Sequence, residues 1–177
     1  MEVADEEPRG NNGEMNGEGG AGGREQWVET QMQNTIVENS KGTYLSKITG
    51  FLNYLDKHAP NMLHHDFKEK AVRDTDGLVA KKFIKGRLFD TYPPLPTIDH
   101  SKFETNTVHL WLSTLKGRAS DQASASSYNT ARSAIRQLFV RYNVKLPEDY
   151  EQKTSTLMGG LKRTIAQSKQ KGELKVR

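Results

Sequence analysis

The side chains with the clearest chemical potential are cationic and gather late in the chain. Arg132 and Arg136 stand four residues apart, so on a helix they share a face. Lys162-Arg163 follows the pair Gly159-Gly160, where a backbone without side chains lets a phosphate approach closely. Arg141, Lys145, Lys153, Lys169, Lys171, Lys175 and Arg177 extend the excess, against only Glu148, Asp149, Glu151 and Glu173. Ser, Thr, Asn and Gln lie among these charges. Guanidinium and ammonium groups mixed with neutral donors suit the oxygens of a nucleic-acid backbone, which fix a protein's position without reporting base sequence. A solvated face of snorkelling side chains would use the same residue types; the local concentration favours phosphate contact.

Other chemistries lack their residues. The five histidines, His58, His64, His65, His100 and His109, form no His-Glu-x-x-His pattern. His64 and His65 are adjacent and diverge on a helix, so no shared metal is expected. There is no Gly-x-Ser-x-Gly elbow, and the carboxylates are scattered rather than paired on an apolar background. The glycines of the first 23 residues are followed by no Gly-Lys-Ser/Thr and preceded by no strand, so a phosphate loop is not expected. No catalytic residue, metal, cofactor or small-molecule ligand is expected.

The charge is asymmetric. The chain has 26 basic and 22 acidic residues. Residues 1–26 hold seven of the acids and two of the bases, a net −5; the remainder holds 24 bases and 15 acids, a net +9. The positive charge thus belongs to the foldable part, as in a nucleic-acid binder. Hydrophobic residues make up 34% and the mean hydropathy is −0.79, so the fold is expected to be polar, small-cored or partly disordered. No apolar run reaches the roughly 18 residues of a membrane span, and the first residues lack the basic and apolar regions of a signal peptide. With no cysteine, disulfides and thiolate metal sites are excluded, and an intracellular, reducing setting is expected, nuclear in a eukaryote.

These side chains need a scaffold, and the sequence predicts an all-α one. Residues 1–26 are expected to be a disordered acidic, Gly-rich tail. Trp27 to Val37 is weakly apolar at near-helical spacing. Thr43 is expected to cap a cleaner helix with Tyr44, Ile48, Phe51, Leu52 and Leu55 on one face, ending near His58. Short helices are expected around His65–Arg73 and Leu78–Phe83, and Tyr92-Pro-Pro-Leu-Pro96 as an extended connector. A helix from Thr105 turns Val108, Trp111, Leu112 and Leu115 inward, with Gly117 as its C-cap. Ser124 then caps the longest clean stripe: Tyr128, Ala131, Ile135, Leu138, Phe139 and Tyr142. After Pro147 a last helix sets Tyr150, Leu157, Leu161 and Ile165 inward, and the glycine pair is expected to kink or break it, or to admit another backbone. The domain is expected to span 27–170, followed by a basic tail at 171–177.

Three of these stretches resemble a known family. Tyr128-Asn-Thr-Ala-Arg-Ser-Ala-Ile-Arg-Gln-Leu-Phe-Val-Arg-Tyr142 resembles the third helix of the SAM-like core-binding domain of tyrosine recombinases and phage integrases. Thr43 to Leu55 is similar to that domain's first helix, and Leu157-Met-Gly-Gly-Leu-Lys-Arg163 to the last helix of its Crypton-like members. The resemblance implies a compact four-helix SAM-like bundle that clamps one side of duplex DNA, and it admits self-association there. It makes Lys116, Arg118, Lys162 and Arg163 candidate contacts, with Arg132 and Arg136 as further phosphate ligands. The family's catalytic Arg, His-x-x-Arg and Tyr have no counterpart, since no histidine here is followed by Arg at the third place. DNA binding is therefore the expected function, as the N-terminal part or a remnant of a recombinase of DNA integration and recombination, with no strand cleavage expected of this chain alone. A helical protein-interaction module is the alternative: DNA binding requires the Arg/Lys cluster on one connected surface, whereas an interaction module should show an exposed apolar groove instead.

Overall fold

The Ser124 hydroxyl accepts a hydrogen bond from the Ser127 amide (3.1 Å), which satisfies one of the free N–H groups at the start of the central helix. That helix occupies Ala125–Arg141 and buries Tyr128, Ala131, Ala134, Ile135, Leu138 and Phe139. It stops where Asn143 enters the left-handed region (φ 52°) and the Val144 amide turns back to the Phe139 carbonyl. Ser124→Ala should cost about 1 kcal/mol of stability, read as a lower urea midpoint at unchanged slope.

A computed structural model describes residues 38–117 and 122–171. The acidic tail expected at 1–26, the 27–37 segment, Arg118 and most of the basic tail at 171–177 lie outside the described residues. The helices are α1 (Glu38–His58), α2 (His65–Lys70), α3 (Lys81–Leu88), α4 (Thr105–Ser113), α5 (Ala125–Arg141) and α6 (Glu148–Gln170), with 3₁₀ turns at Pro60–Met62 and His100–Lys102. Among the described residues there is no strand, only isolated bridges between Leu63 and Ile98 and between Arg73 and Val79. The expected all-α class is what forms: α1, α4, α5 and α6 make a compact bundle.

The long helices α1 and α5 pack most extensively, and α6 lies against both α4 and α5. Leu45, Ile48, Phe51, Leu52 and Leu55 supply the buried side of α1. Phe51 meets Trp111 of α4 at 5.0 Å between ring centroids, and Phe103 meets Phe139 edge-on at 4.6 Å. Tyr150, Thr154, Met158 and Ile165 close the core from α6, while Leu157 and Leu161 are only half-buried against it.

Several local expectations need correction. The first helix does not begin at Thr43: it already runs from Glu38 through Ser40-Lys41-Gly42. Gly42 is exposed in open space, so it costs the helix about 1 kcal/mol of propensity but forces no break, and its carbonyl accepts the Ser46 hydroxyl. The third helix starts at Lys81 rather than Leu78 because Asn53 holds the preceding backbone extended. Its amide accepts from the Val79 N–H (2.7 Å) and donates to the Val79 carbonyl (3.2 Å). Helix α4 ends at Ser113, before Gly117, because Ser113 and Thr114 hydroxyls bond the Leu110 and Trp111 carbonyls. Gly159-Gly160 does not break α6, which is one continuous helix. Nor do these glycines admit another backbone: a Cβ at Gly160 would meet nothing within 4 Å, and one at Gly159 would meet only Arg163 of the same helix.

The stretch between α1 and α4 forms a second half of the core. Met62, Leu63, Phe67, Val79, Ile84, Leu88 and Ile98 are all buried there. Its two ends are tied by His64 N to Thr97 O (3.1 Å) and Asp99 N to Met62 O (2.8 Å).

Candidate nucleic-acid interface

The candidate cations fall into two groups with different electrostatics. Arg132 and Arg136 project from successive turns of α5 onto one carboxylate, Glu151 of α6. Arg132 Nη2 donates to Glu151 Oε2, and Arg136 Nε stands 3.2 Å from Oε1. The expected shared face exists, but one of its two charges is already neutralised. Arg136 remains 57% exposed and Arg132 28%, so Arg136 is the member a phosphate can reach.

Lys162 and Arg163 lie three turns further along α6 and are exposed. Consecutive helical residues point about 100° apart, so the two do not converge on one point. Lys162, eleven residues after Glu151, returns to the same flank of the helix; Arg163 points further outward. Arg163 Nε donates to its own helix at Gly159 O (3.3 Å), which leaves its terminal nitrogens to solvent. Lys116 is exposed just past the end of α4, and Arg118 lies outside the described residues. The six candidates are therefore not gathered at one point: a pair is clasped by Glu151, another stands free on α6, and Lys116 occupies the turn after α4.

Comparison with known proteins adds no neighbour. No family model, curated protein or solved structure matches the chain significantly. What the interface can do is decided by its own residues.

Two cations of the late cluster have structural duties. Arg141 Nε donates to the Leu88 carbonyl (2.8 Å) and its guanidinium lies 4.2 Å from the Phe89 ring centroid. Burial pushes its pKa down, and it clamps α5 to the end of α3. Lys153 is held on Asp149 (2.7 Å), whose other oxygen accepts the Thr105 hydroxyl (2.9 Å). These bonds, with His109 Nε2 and Thr154 Oγ1 at 3.1 Å, make a polar seam between α4 and α6. The His109 pKa is lowered by burial first and then by Lys153, against Asp149.

The remaining histidines also have local roles. His64 Nδ1 accepts the Asp66 amide at the start of α2, His65 pairs with Glu69 (3.6 Å), and His58 stacks on Tyr54. His100 sits edge-on to Phe139 and Tyr142, with its pKa lowered by burial. Among the described residues no group of three or more His, Asp or Glu is placed to hold a metal. No described helix is long and apolar enough to cross a membrane.

Two features were missed from the sequence. One is an absence: from Gln152 to Lys171, α6 and its C-cap carry five bases and no acid. The sequence itself carries this signal, in the acids counted helix by helix. The other is Lys47, which lies among the core residues of α1 and gave no signal. Its ammonium donates to Ser127 Oγ (2.7 Å) at the start of α5, and burial lowers its pKa.

Proposed function

We propose that this chain binds duplex DNA through its sugar-phosphate backbone, as a module of the tyrosine-recombinase core-binding kind without strand-cleaving chemistry. The observation that carries the reading is the acid-free run of α6. Lys162, Arg163, Lys169 and Lys171 are exposed on it, and none meets a carboxylate among the described residues. Elsewhere Lys70 and Arg87 are paired with Asp66, and Arg73 with Asp56. Positive charge left uncompensated on more than one flank of a single helix, with exposed Gln152, Ser155, Thr156 and Gln167 as neutral donors, suits a polyanion.

The test is salt-dependent binding of the full chain to 30-mer duplexes (~three helical turns). Each neutralised phosphate releases counterions, so four contacts imply a log–log slope near ~−3.6 and roughly 150-fold weaker binding between about 50 and 200 mM salt. Arg163→Ala should make the slope shallower by about one unit, equally on unrelated sequences. Arg132→Ala should do less, because Glu151 already neutralises part of that pair. Glu151→Gln should steepen the slope by freeing it. Arg9→Ala, in the acidic leader, is the control and should change nothing. Absence of any salt-sensitive binding removes the DNA reading. If Arg163→Ala matches the parent while Arg136→Ala does not, the contact surface belongs to α5 and the assignment to α6 is wrong.

A further inference from the structure

We propose that a second surface, an open groove along α3, docks an acidic peptide carrying a bulky apolar side chain. The groove has a volume of about 580 Å³, enough to receive large side chains, and is lined by Val72, Ala80, Phe83, Gly86 and Leu95. Val72 is 56% exposed and Leu95 41%, so these are wall residues facing solvent rather than the rim of a filled core. Scattered exposed apolar side chains need no explanation, but a contiguous set around a concavity does.

The walls are fixed in advance. The Ala80 amide bonds the Val72 carbonyl (2.8 Å) on one side. On the other, the Leu95 amide bonds the Arg87 carbonyl (2.9 Å), and the Leu95 carbonyl accepts the Tyr142 hydroxyl (2.7 Å). A groove held open by backbone bonds to α3 and a side-chain bond from the end of α5 needs little ordering to receive a ligand. The floor is kept low by Gly86: a Cβ there would meet nothing within 4 Å, so packing does not demand glycine. Its use inside α3 costs helix propensity and leaves space.

Charge selects the occupant. Of the cations in the lining, Lys70 and Arg87 are paired with Asp66, and Asp90 is itself paired with Lys85 (3.6 Å), which leaves the Lys82 ammonium as the uncompensated charge. Helix α3 carries four bases and no acid in its eight residues. Lys81 and Lys82 occupy its first turn, where the helix dipole disfavours cations, and Lys82 meets no carboxylate among the described residues. Arg87 is turned inward onto Asp66 and the Pro96 carbonyl. An apolar floor beneath an unmatched ammonium suits a side chain flanked by carboxylates. A bare phosphate backbone would leave that floor uncovered, which separates this surface from the one on α6; an exposed apolar groove is the feature expected of a protein-interaction module, and here it coexists with the cationic run of α6.

The test is an NMR titration of the full ¹⁵N-labelled chain with a short synthetic peptide bearing Trp and Leu among Asp and Glu. Shifts should concentrate at the amides of Val72, Ala80, Phe83, Gly86 and Leu95. A matched peptide with Lys in place of its acids should bind at least about tenfold more weakly, as should the acidic peptide to Lys82→Glu. Gly86→Met fills the groove from its floor and should abolish the shifts; Val72→Glu, on an exposed wall, repeats the test if that variant folds poorly. The proposal is overturned if the basic peptide binds equally, if both groove variants bind like the parent, or if no shifts arise at these amides. It is also overturned if duplex DNA displaces the peptide from the same amides, which would make the groove part of a nucleic-acid surface.

Discussion

Phe139→Ala is expected to lower the unfolding free energy by about 3–5 kcal/mol. Phe139 is 2% exposed and is enclosed by aromatic edges, with Phe103 at 4.6 Å and His100 at 5.0 Å between centroids. Truncation removes transfer free energy and leaves a cavity. Collapse around that cavity is resisted because Phe103 is itself wedged against Phe51 and Tyr150. The neighbouring Val140 is 53% exposed, and Val140→Ala should stay within about 0.5 kcal/mol of the parent. Urea unfolding of the pair tests the register of α5: one residue of rotation would interchange the two outcomes. A loss below about 0.5 kcal/mol for Phe139→Ala would place its ring at the surface and remove the bundle as drawn.

That register was legible because α5 states one fact repeatedly. Tyr128, Ala131, Ile135, Leu138 and Phe139 repeat at helical spacing, Ser124 caps the start, and polar residues fill the rest. Helix α1 was legible for the same reason, except that its start was misplaced: a local breaker at Gly42 was weighed against no tertiary information. The stretch from Ala59 to Lys102 was far less legible. Its core residues sit in 3₁₀ turns, bridges and six- to eight-residue helices, which have no period to detect. What orders them is long-range, as when Asn53 of α1 bonds both backbone groups of Val79. The candidate interface divides similarly. The excess of charge near the C-terminus was visible in composition. Which cations remain free was not, because Glu151 lies 19 residues from Arg132 and its capture of both α5 arginines depends on how α5 and α6 pack. The groove on α3 left no mark in the sequence at all, since its apolar lining comes from residues that belong to no common period.

Arg87 is the sharpest case of a residue whose type misstates its place, and Arg87→Ala should cost about 3 kcal/mol. A side chain that ordinarily reads as surface is here 5% exposed. Its Nη2 donates to Asp66 and to the Pro96 carbonyl (2.7 Å), and its guanidinium lies 5.9 and 5.5 Å from the ring centroids of Phe67 and Phe83. One group thereby ties α2, α3 and the proline connector together. The cost falls at the lower end of the range for breaking a buried pair, because Asp66 keeps Lys70 (2.6 Å) and partial access to water. Arg87→Lys should recover little, since the shorter lysine stem ends in a compact ammonium without the planar guanidinium that lies beside the Phe67 and Phe83 rings. The pH dependence separates this account from simple loss of packing. Hydrogen bonds from Lys70 and Arg87 hold the Asp66 carboxyl down at about 2. Its contribution to stability is therefore present above the unfolded carboxyl value near ~3.9 and is lost as pH falls toward 2. Removing Arg87 raises the folded value, so the stability gap between parent and variant should be full at neutral pH and shrink below about pH 4. A gap that stays constant down to pH 2 would assign Arg87 to packing alone and leave its pairing with Asp66 without energetic weight.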